Sequence, residues 1–170
     1  MKITQALLDK LTSEAKASPR LRMNYDLRNG ESDQSQRMLN AIEPGSPLPI
    51  HRHRHTSETV VCLRGRLVWE YYQELRVENL ELKDSSKSSM LASPTLDATR
   101  QSSCEHDSAL AAPRVQKVQE IELSPNGQVV ALNIPAGKWH TVRALESGSV
   151  ILEMKEGAYE PLQDCDVLKM

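Results

Sequence analysis

The 170-residue chain contains no phenylalanine, and aromatic residues make up 4% of it. A core of stacked rings is excluded, so the interior must be built from valine, leucine, isoleucine and methionine, which suits a β-barrel lined by branched side chains. The same scarcity removes the platforms on which single-stranded nucleic acid stacks, making an oligonucleotide-binding barrel a weak alternative. Charge of one sign is also missing: 21 lysines and arginines face 23 aspartates and glutamates, a formal net charge of -2. No global field favours nucleic acid or an anionic membrane. No run approaches the roughly 20 apolar residues of a spanning helix, and the opening M-K-I-T-Q-A-L-L-D-K-L is amphipathic. A soluble, cytoplasmic protein with no nucleic-acid or membrane partner is the expectation. Three cysteines, Cys62, Cys104 and Cys165, are odd in number and lack C-x-x-C spacing, which argues against a disulfide framework or zinc knuckle and predicts reduced thiols. Cys62, in an apolar strand, reads as a small core residue.

What is present is a helical opening followed by β texture. Ile3, Leu7, Leu8, Leu11 and Ala15 recur at helical spacing after a Thr4 cap and stop before Pro19, predicting a docked N-terminal helical arm over residues 1–35. From about Arg37 short β-type runs alternate with turn residues: M-L-N-A-I, T-V-V-C-L, L-V-W-E-Y-Y, with R-G-R as a hairpin turn. Gln128 to Ile134, Trp139 to Leu145 and Ser149 to Met154 repeat the texture, punctuated by P-N-G, P-A-G and E-S-G-S. Many short strands with regular turns predict an all-β sandwich or barrel over residues 36–170. Lys83 to Pro113, rich in serine and without an apolar period, reads as a flexible loop insertion.

Three histidines alternate in His51-Arg52-His53-Arg54-His55. On an extended chain these imidazoles share one face while Arg52 and Arg54 look away. Neutral imidazoles supply nitrogen lone pairs, and a nearby carboxylate adds a hard oxygen that partly neutralises a divalent ion. Glu58 lies at the start of the next strand, in step with Val60 and Cys62, and P-A-G-K-W-H places His140 at the start of a later one. The histidine string alone also fits an exposed basic edge; together with Glu58 and His140 the metal reading is favoured.

Gly45, His51, His53, Glu58 and Gly65 reproduce G-x5-H-x-H-x4-E-x6-G, the first cupin motif, at every position. The second motif, G-x5-P-x-G-x2-H-x3-N, is matched at Pro135, Gly137 and His140, with Val129 and Ala144 at its outer positions. Q-R-M-L-N-A-I-E-P-G, V-V-C-L-R-G-R-L, I-P-A-G-K-W-H-T-V-R-A-L and E-M-K-E-G-A-Y-E-P-L make the chain similar to the WbuC-like cupin metalloproteins. That resemblance implies a double-stranded β-helix or jelly-roll barrel and one divalent ion (Fe, Mn, Zn or Ni) held by His51, His53, Glu58 and His140. It also implies a gene setting among surface-polysaccharide genes.

Further residues are open to more than one reading. His55 is a hydrogen-bond donor behind the ligands, a substitute ligand or a solvated rim residue. Arg64 shares strand parity with Glu58, so its guanidinium either enters the barrel to hold a carboxylate or phosphate, or forms a structural ion pair. Tyr71, Tyr72 and Lys138 are proton donors or acceptors, or else packing and surface groups. Asn24 and Tyr25 either bring the arm over the barrel mouth or serve the docking of the helix. Three histidines and one carboxylate leave one or two coordination positions open, as a catalytic metal requires, without choosing the reaction. The gene setting that the resemblance implies suggests, by analogy, a metal-dependent isomerase or epimerase acting on a small oxygenated ligand such as a sugar or sugar nucleotide. An Fe(II) dioxygenase and a non-catalytic ligand-binding or regulatory module are the alternatives. A homodimer is the default assembly.

Overall fold

The computed structural model describes residues 1–75 and 114–168. The serine-rich stretch expected as an insertion, 83–113, lies outside the described residues. Thr4, in extended conformation, accepts a hydrogen bond from the Leu7 amide at 3.3 Å and starts helix α1, Gln5–Ala17, satisfying one of the donors a helix start leaves free. Leu8, Leu11, Thr12 and Ala15 are its buried residues, the spacing that a 3.6-residue turn places on one face. No described helix is long and apolar enough to cross a membrane.

The other regular elements of the described residues are a short 3-10 turn, Asp164–Asp166, and the strands β1 Arg22–Asp26, β2 Ser35–Ile42, β3 Ile50–His51, β4 Glu58–Arg64, β5 Leu67–Glu74, β6 Val115–Leu123, β7 Ala131–Ile134, β8 Trp139–Ala144, β9 Ser149–Glu156 and β10 Val167–Leu168. They form two antiparallel sheets, ordered β1-β2-β9-β4-β7 and β10-β3-β8-β5-β6. Setting aside the flanking β1 and β10, the chain crosses between sheets at every step from β2 to β9 except β5 to β6. That order is the eight-strand jelly roll, the architecture of cupins.

Several expectations are corrected by this topology. The R-G-R turn joins strands of opposite sheets, so it is a corner and not a hairpin. Gly65 has φ +77° there, and a Cβ would stand 2.3 Å from the Ser149 hydroxyl and 2.7 Å from its Cα, leaving room only for glycine. The N-terminal arm is part helix and part strand: Asn24 and Tyr25 pair with Asn40 and Leu39 at the sheet edge and do not cover the mouth. β6 was not anticipated because most of its side chains are exposed and it carries no apolar run. Cys62 is a buried free thiol, whereas Cys165 is disulfide-bonded, against the expectation of reduced thiols throughout.

Two cores result. Between the sheets lie Val60, Cys62, Leu67, Trp69, Leu123, Ile134 and Ile151. On the other face of the first sheet, Leu39, Ala41 and Val150 pack against Leu8, Leu11 and Ala15 of the helix. The alternation along β9, with Val150 under the helix and Ile151 between the sheets, is the period of two that a strand imposes.

Candidate metal centre

The short strand β3 meets β8 with His51 opposite His140, and β8 meets β5 with Tyr71 opposite the same His140. Opposed residues of an antiparallel pair project to the same side, so these three form a row across one face of the second sheet. Trp69, two residues before Tyr71, lies against the His140 ring with centroids 5.8 Å apart and planes 22° from parallel. His53 follows just beyond β3, and its carbonyl accepts the Gly137 amide at 2.6 Å. One hydrogen bond thus joins the P-A-G turn to the H-x-H segment, and ring centroids of His51, His53 and His140 stand 4.5 to 6.0 Å apart.

One ring nitrogen from each of His51, His53 and His140 lies within 4.8 Å of the others, a group that could hold a metal ion. His51 Nδ1 stands 3.1 Å from the Pro49 carbonyl, and His140 Nδ1 stands 2.8 Å from that of Lys138. A carbonyl only accepts, so each Nδ1 carries the proton and each Nε2 keeps its lone pair. Burial keeps the rings neutral, pulling His51 and His53 down to about 4 and His140 down to about 3. Neutral imidazole is the form that binds a metal.

Glu58 opens β4 on the inner face of the first sheet and is 3% exposed. Its Oε2 lies 3.0 Å from His53 Nε2, yet the contact lacks hydrogen-bond geometry, leaving that oxygen without a partner, like His140 Nε2. Burial raises its carboxyl to about 7, with Lys155 opposing. Glu58 stands outside the group of three and reaches it through His53. Unpartnered buried polar atoms cost about 1–3 kcal/mol each, and a cation beside them would recover that. Three imidazoles and one carboxylate are also a donor set suited to a borderline-soft divalent ion.

Two charged residues of β9 join the site, and neither was read from the sequence. Across the β4–β9 register Lys155 stands opposite Glu58, and Glu153 opposite Val60. The Lys155 ammonium reaches both His53 nitrogens, at 3.4 and 3.2 Å. Glu153 accepts a hydrogen bond from Asn40 Nδ2 at 2.8 Å, and its carboxyl is raised to about 7 by burial and by the charge of Glu58. The signal was available: in S-V-I-L-E-M-K-E, Glu153 and Lys155 continue the inward parity of Ile151.

A cavity of about 700 Å³ opens beside His53, His55 and Lys155, with Gln36 and Gln163 also lining it. One wall is the C-terminal segment, which is held by the arginines of the histidine string. Asp166 Oδ1 takes Arg52 Nε at 2.9 Å and Arg54 Nε at 2.6 Å. Arg52 also pairs with Glu74 and lies over the Trp139 ring. The arginines do look away from the histidines, as expected, and what they meet is the tail.

Other candidates fall elsewhere. His55 is exposed on the cavity rim, outside the histidine group. Arg64 points to the helix, binding Asp9 at 2.7 Å and Gln5. The reason is a bulge: Cys62 opposes Ile151, but Arg64 opposes Val150, so an extra residue reverses the parity that had put Arg64 in the barrel. Tyr72 donates to Glu70 at 2.6 Å, and Glu70 pairs with Arg143 and Lys117. Trp69 and Tyr71, at alternate positions, occupy the inter-sheet core, so Tyr72 stands on the outer face and away from the histidine group. The two departures from the second motif also leave the site alone, since Val129 and Ala144 pack in the inter-sheet core.

Strand order and the histidine group define the class: a cupin-type jelly roll with a candidate metal centre at one end. Residues 3–78, less than half of the chain, match the model of a family described as a domain of unknown function, DUF6016. No curated protein matches. Among solved structures the chain is similar to KdgF from Halomonas sp., at 12% identity over 84% of each chain with a TM-score of 0.47. It is also similar to a cupin 2 domain-containing protein from Halorhodospira halophila, at 11% identity over 84% of this chain and 68% of that one, TM-score 0.43.

Proposed function

We propose that this protein is a metal-dependent enzyme in which His51, His53, Glu58 and His140 hold one divalent ion and act on a small oxygenated substrate such as a sugar or sugar nucleotide. The observation that carries the reading is the convergence of three neutral imidazoles with a buried, unpartnered Glu58 oxygen at the edge of an open cavity. The ion would supply a Lewis acid for a carbonyl or hydroxyl oxygen.

Isomerisation or epimerisation needs a group that takes and returns a proton beside that oxygen. Glu153 is suited to it, because a carboxyl titrating near neutrality exchanges protons in both directions at low cost. Asn40 fixes its orientation. Trp69 backs the His140 ring and keeps water from that side of the ligand. Of the cavity's glutamines, Gln163 offers an amide donor and acceptor to a polyhydroxylated ligand and Gln36 offers its side-chain oxygen, its Nε2 being held by the Gly157 and Ala158 carbonyls.

Elemental analysis of protein purified without chelator tests the metal: the expected result is one ion per chain, lost in His51→Ala and His140→Ala. A metal-free parent protein refutes the proposal. Turnover on a panel of sugars and sugar nucleotides tests the chemistry, with activity abolished in His53→Ala and Glu58→Gln; turnover indifferent to both changes rules out metal-dependent catalysis at this site.

A further inference from the structure

Lys155 is the feature that the metal ligands do not explain. Its side chain is only 10% exposed, and it projects beside Glu58 from the inner face of β9. Its contacts are the two nitrogens of His53 at 3.4 and 3.2 Å and Glu153 at 3.9 Å. A neutral imidazole has one acceptor nitrogen. When that nitrogen binds a metal, the ammonium loses the acceptor and gains a cation as neighbour, while Asn40 holds Glu153 Oε2 and the other oxygen, Oε1, stands 3.9 Å from the ammonium, beyond hydrogen-bond distance.

Charge counting sharpens the point. Ionised Glu58 and Glu153 together offset a divalent ion, which leaves the ammonium of Lys155 as surplus positive charge in a largely buried setting. Buried charges are retained when they are paired and hydrogen-bonded. The cavity beside Lys155 gives a small ligand access to it. Arg52 and Arg54, the other cations lining that cavity, are already taken by Asp166.

We infer that Lys155 and the metal form a two-point receptor for an anionic oxygen group, a carboxylate or phosphate carried by the substrate, one oxygen going to the metal and another to the ammonium. This rests on the metal reading above and names the substrate class of the same site. Lys155 is here a specificity-determining residue. It would make the site prefer an acid sugar or sugar phosphate to a neutral one.

Binding of acetate, inorganic phosphate and ethylene glycol to Mn(II)-loaded and metal-free protein, followed by calorimetry, tests it. Expected is anion binding that requires the metal, falls on the order of tenfold in Lys155→Met and persists in Lys155→Arg, with ethylene glycol unaffected. Acetate binding without phosphate binding assigns a carboxylate, and the reverse a phosphate. By reciprocity the anion must tighten Mn(II) binding in the parent protein by the factor by which Mn(II) tightens the anion. In Lys155→Met this coupling shrinks while Mn(II) alone binds more tightly, because a repelling charge is gone. If Lys155→Met does not fold, Lys155→Gln takes its place. Metal bound stoichiometrically with equal anion affinity in parent and Lys155→Met overturns this inference alone. Absence of metal from the parent overturns it together with the proposed function.

Discussion

The two ends of the barrel are built on the same strands and differ in what they do with burial. At one end, Val60, Cys62, Leu67, Leu123 and Ile151 fill the space between the sheets, and the free energy gained from removing apolar surface from water holds the fold. At the other, the same inward positions carry His51, His140, Glu58, Glu153 and Lys155. Here burial works against the protein: it opposes charge on the imidazoles and carboxyls and leaves Glu58 Oε2 and His140 Nε2 without partners. Along β9 the change takes two residues, from Ile151 to Glu153. The apolar end stabilises the structure, and the polar end keeps buried polar atoms without protein partners.

If that division is real, the ends can be damaged separately. Leu67 is fully buried, and Leu67→Ala is expected to lower stability by about 2–5 kcal/mol in urea titration while the folded fraction keeps its metal stoichiometry. Loss of metal in step with stability would show the two ends to be one unit. Asp166→Ala comes next. It frees the tail from two arginines that are themselves partly exposed, so the expected loss is about 1–3 kcal/mol. Faster amide exchange should be confined to residues 157–168, and a uniform increase would contradict the clasp.

The polar end also sets the pH dependence of the metal-free protein, and its groups pull in opposite directions. The three histidines, ordinarily at 6.5, titrate at about 4, 4 and 3 when folded. The unfolded chain therefore binds more protons through that window, and their contribution is lost as pH falls from 6.5 through about 4. Glu58 and Glu153, ordinarily at 4.5, are raised to about 7, so their contribution is present below 4.5 and lost as pH rises through about 7. Between 4.5 and 6.5 three imidazoles oppose two carboxyls, and stability rises with pH by about one proton's worth, about 1.4 kcal/mol per unit. Glu58→Gln removes one opposing carboxyl and should make that rise about twice as steep in urea midpoints of chelator-treated protein. An unchanged slope would mean that Glu58 is not titrating in this range.

How much of this was legible in the sequence follows from what each signal depends on. The histidines and Glu58 were found because metal ligands need fixed residue types at fixed spacing, and the strand period then brings them to one side. The helix was found because Thr4 and the Leu8, Leu11, Ala15 stripe are local signals. Glu153 and Lys155 were missed because their significance lies in parity with Ile151, which matters only once β9 is known to line the interior. Strand β6 was hidden by its exposure. Arg64 was placed by alternation counted along a strand, and the register shift between Cys62 and Arg64 in β4 breaks that count.

Arg64 supplies the weakest and most discriminating perturbation. Without the bulge, its guanidinium would enter the barrel at the end of β4 away from Glu58, among the apolar side chains. With it, Arg64 meets Asp9 and Gln5 on the helix, 28% exposed against an Asp9 side chain that is 68% exposed. Exposed pairs contribute little because water screens them, so Arg64→Met should lower stability by no more than about 1 kcal/mol and leave metal content and acetate affinity at parental values. The comparison with Lys155→Met is the informative part, since both remove one positive charge from the first sheet, Lys155 beside Glu58 on its inner face and Arg64 at the other end of β4 on its outer face. Acetate affinity falling in Lys155→Met and not in Arg64→Met shows that the anion reads position inside the barrel. An equal fall in both would mean that it responds only to net charge, and the bulge would then have no bearing on the site.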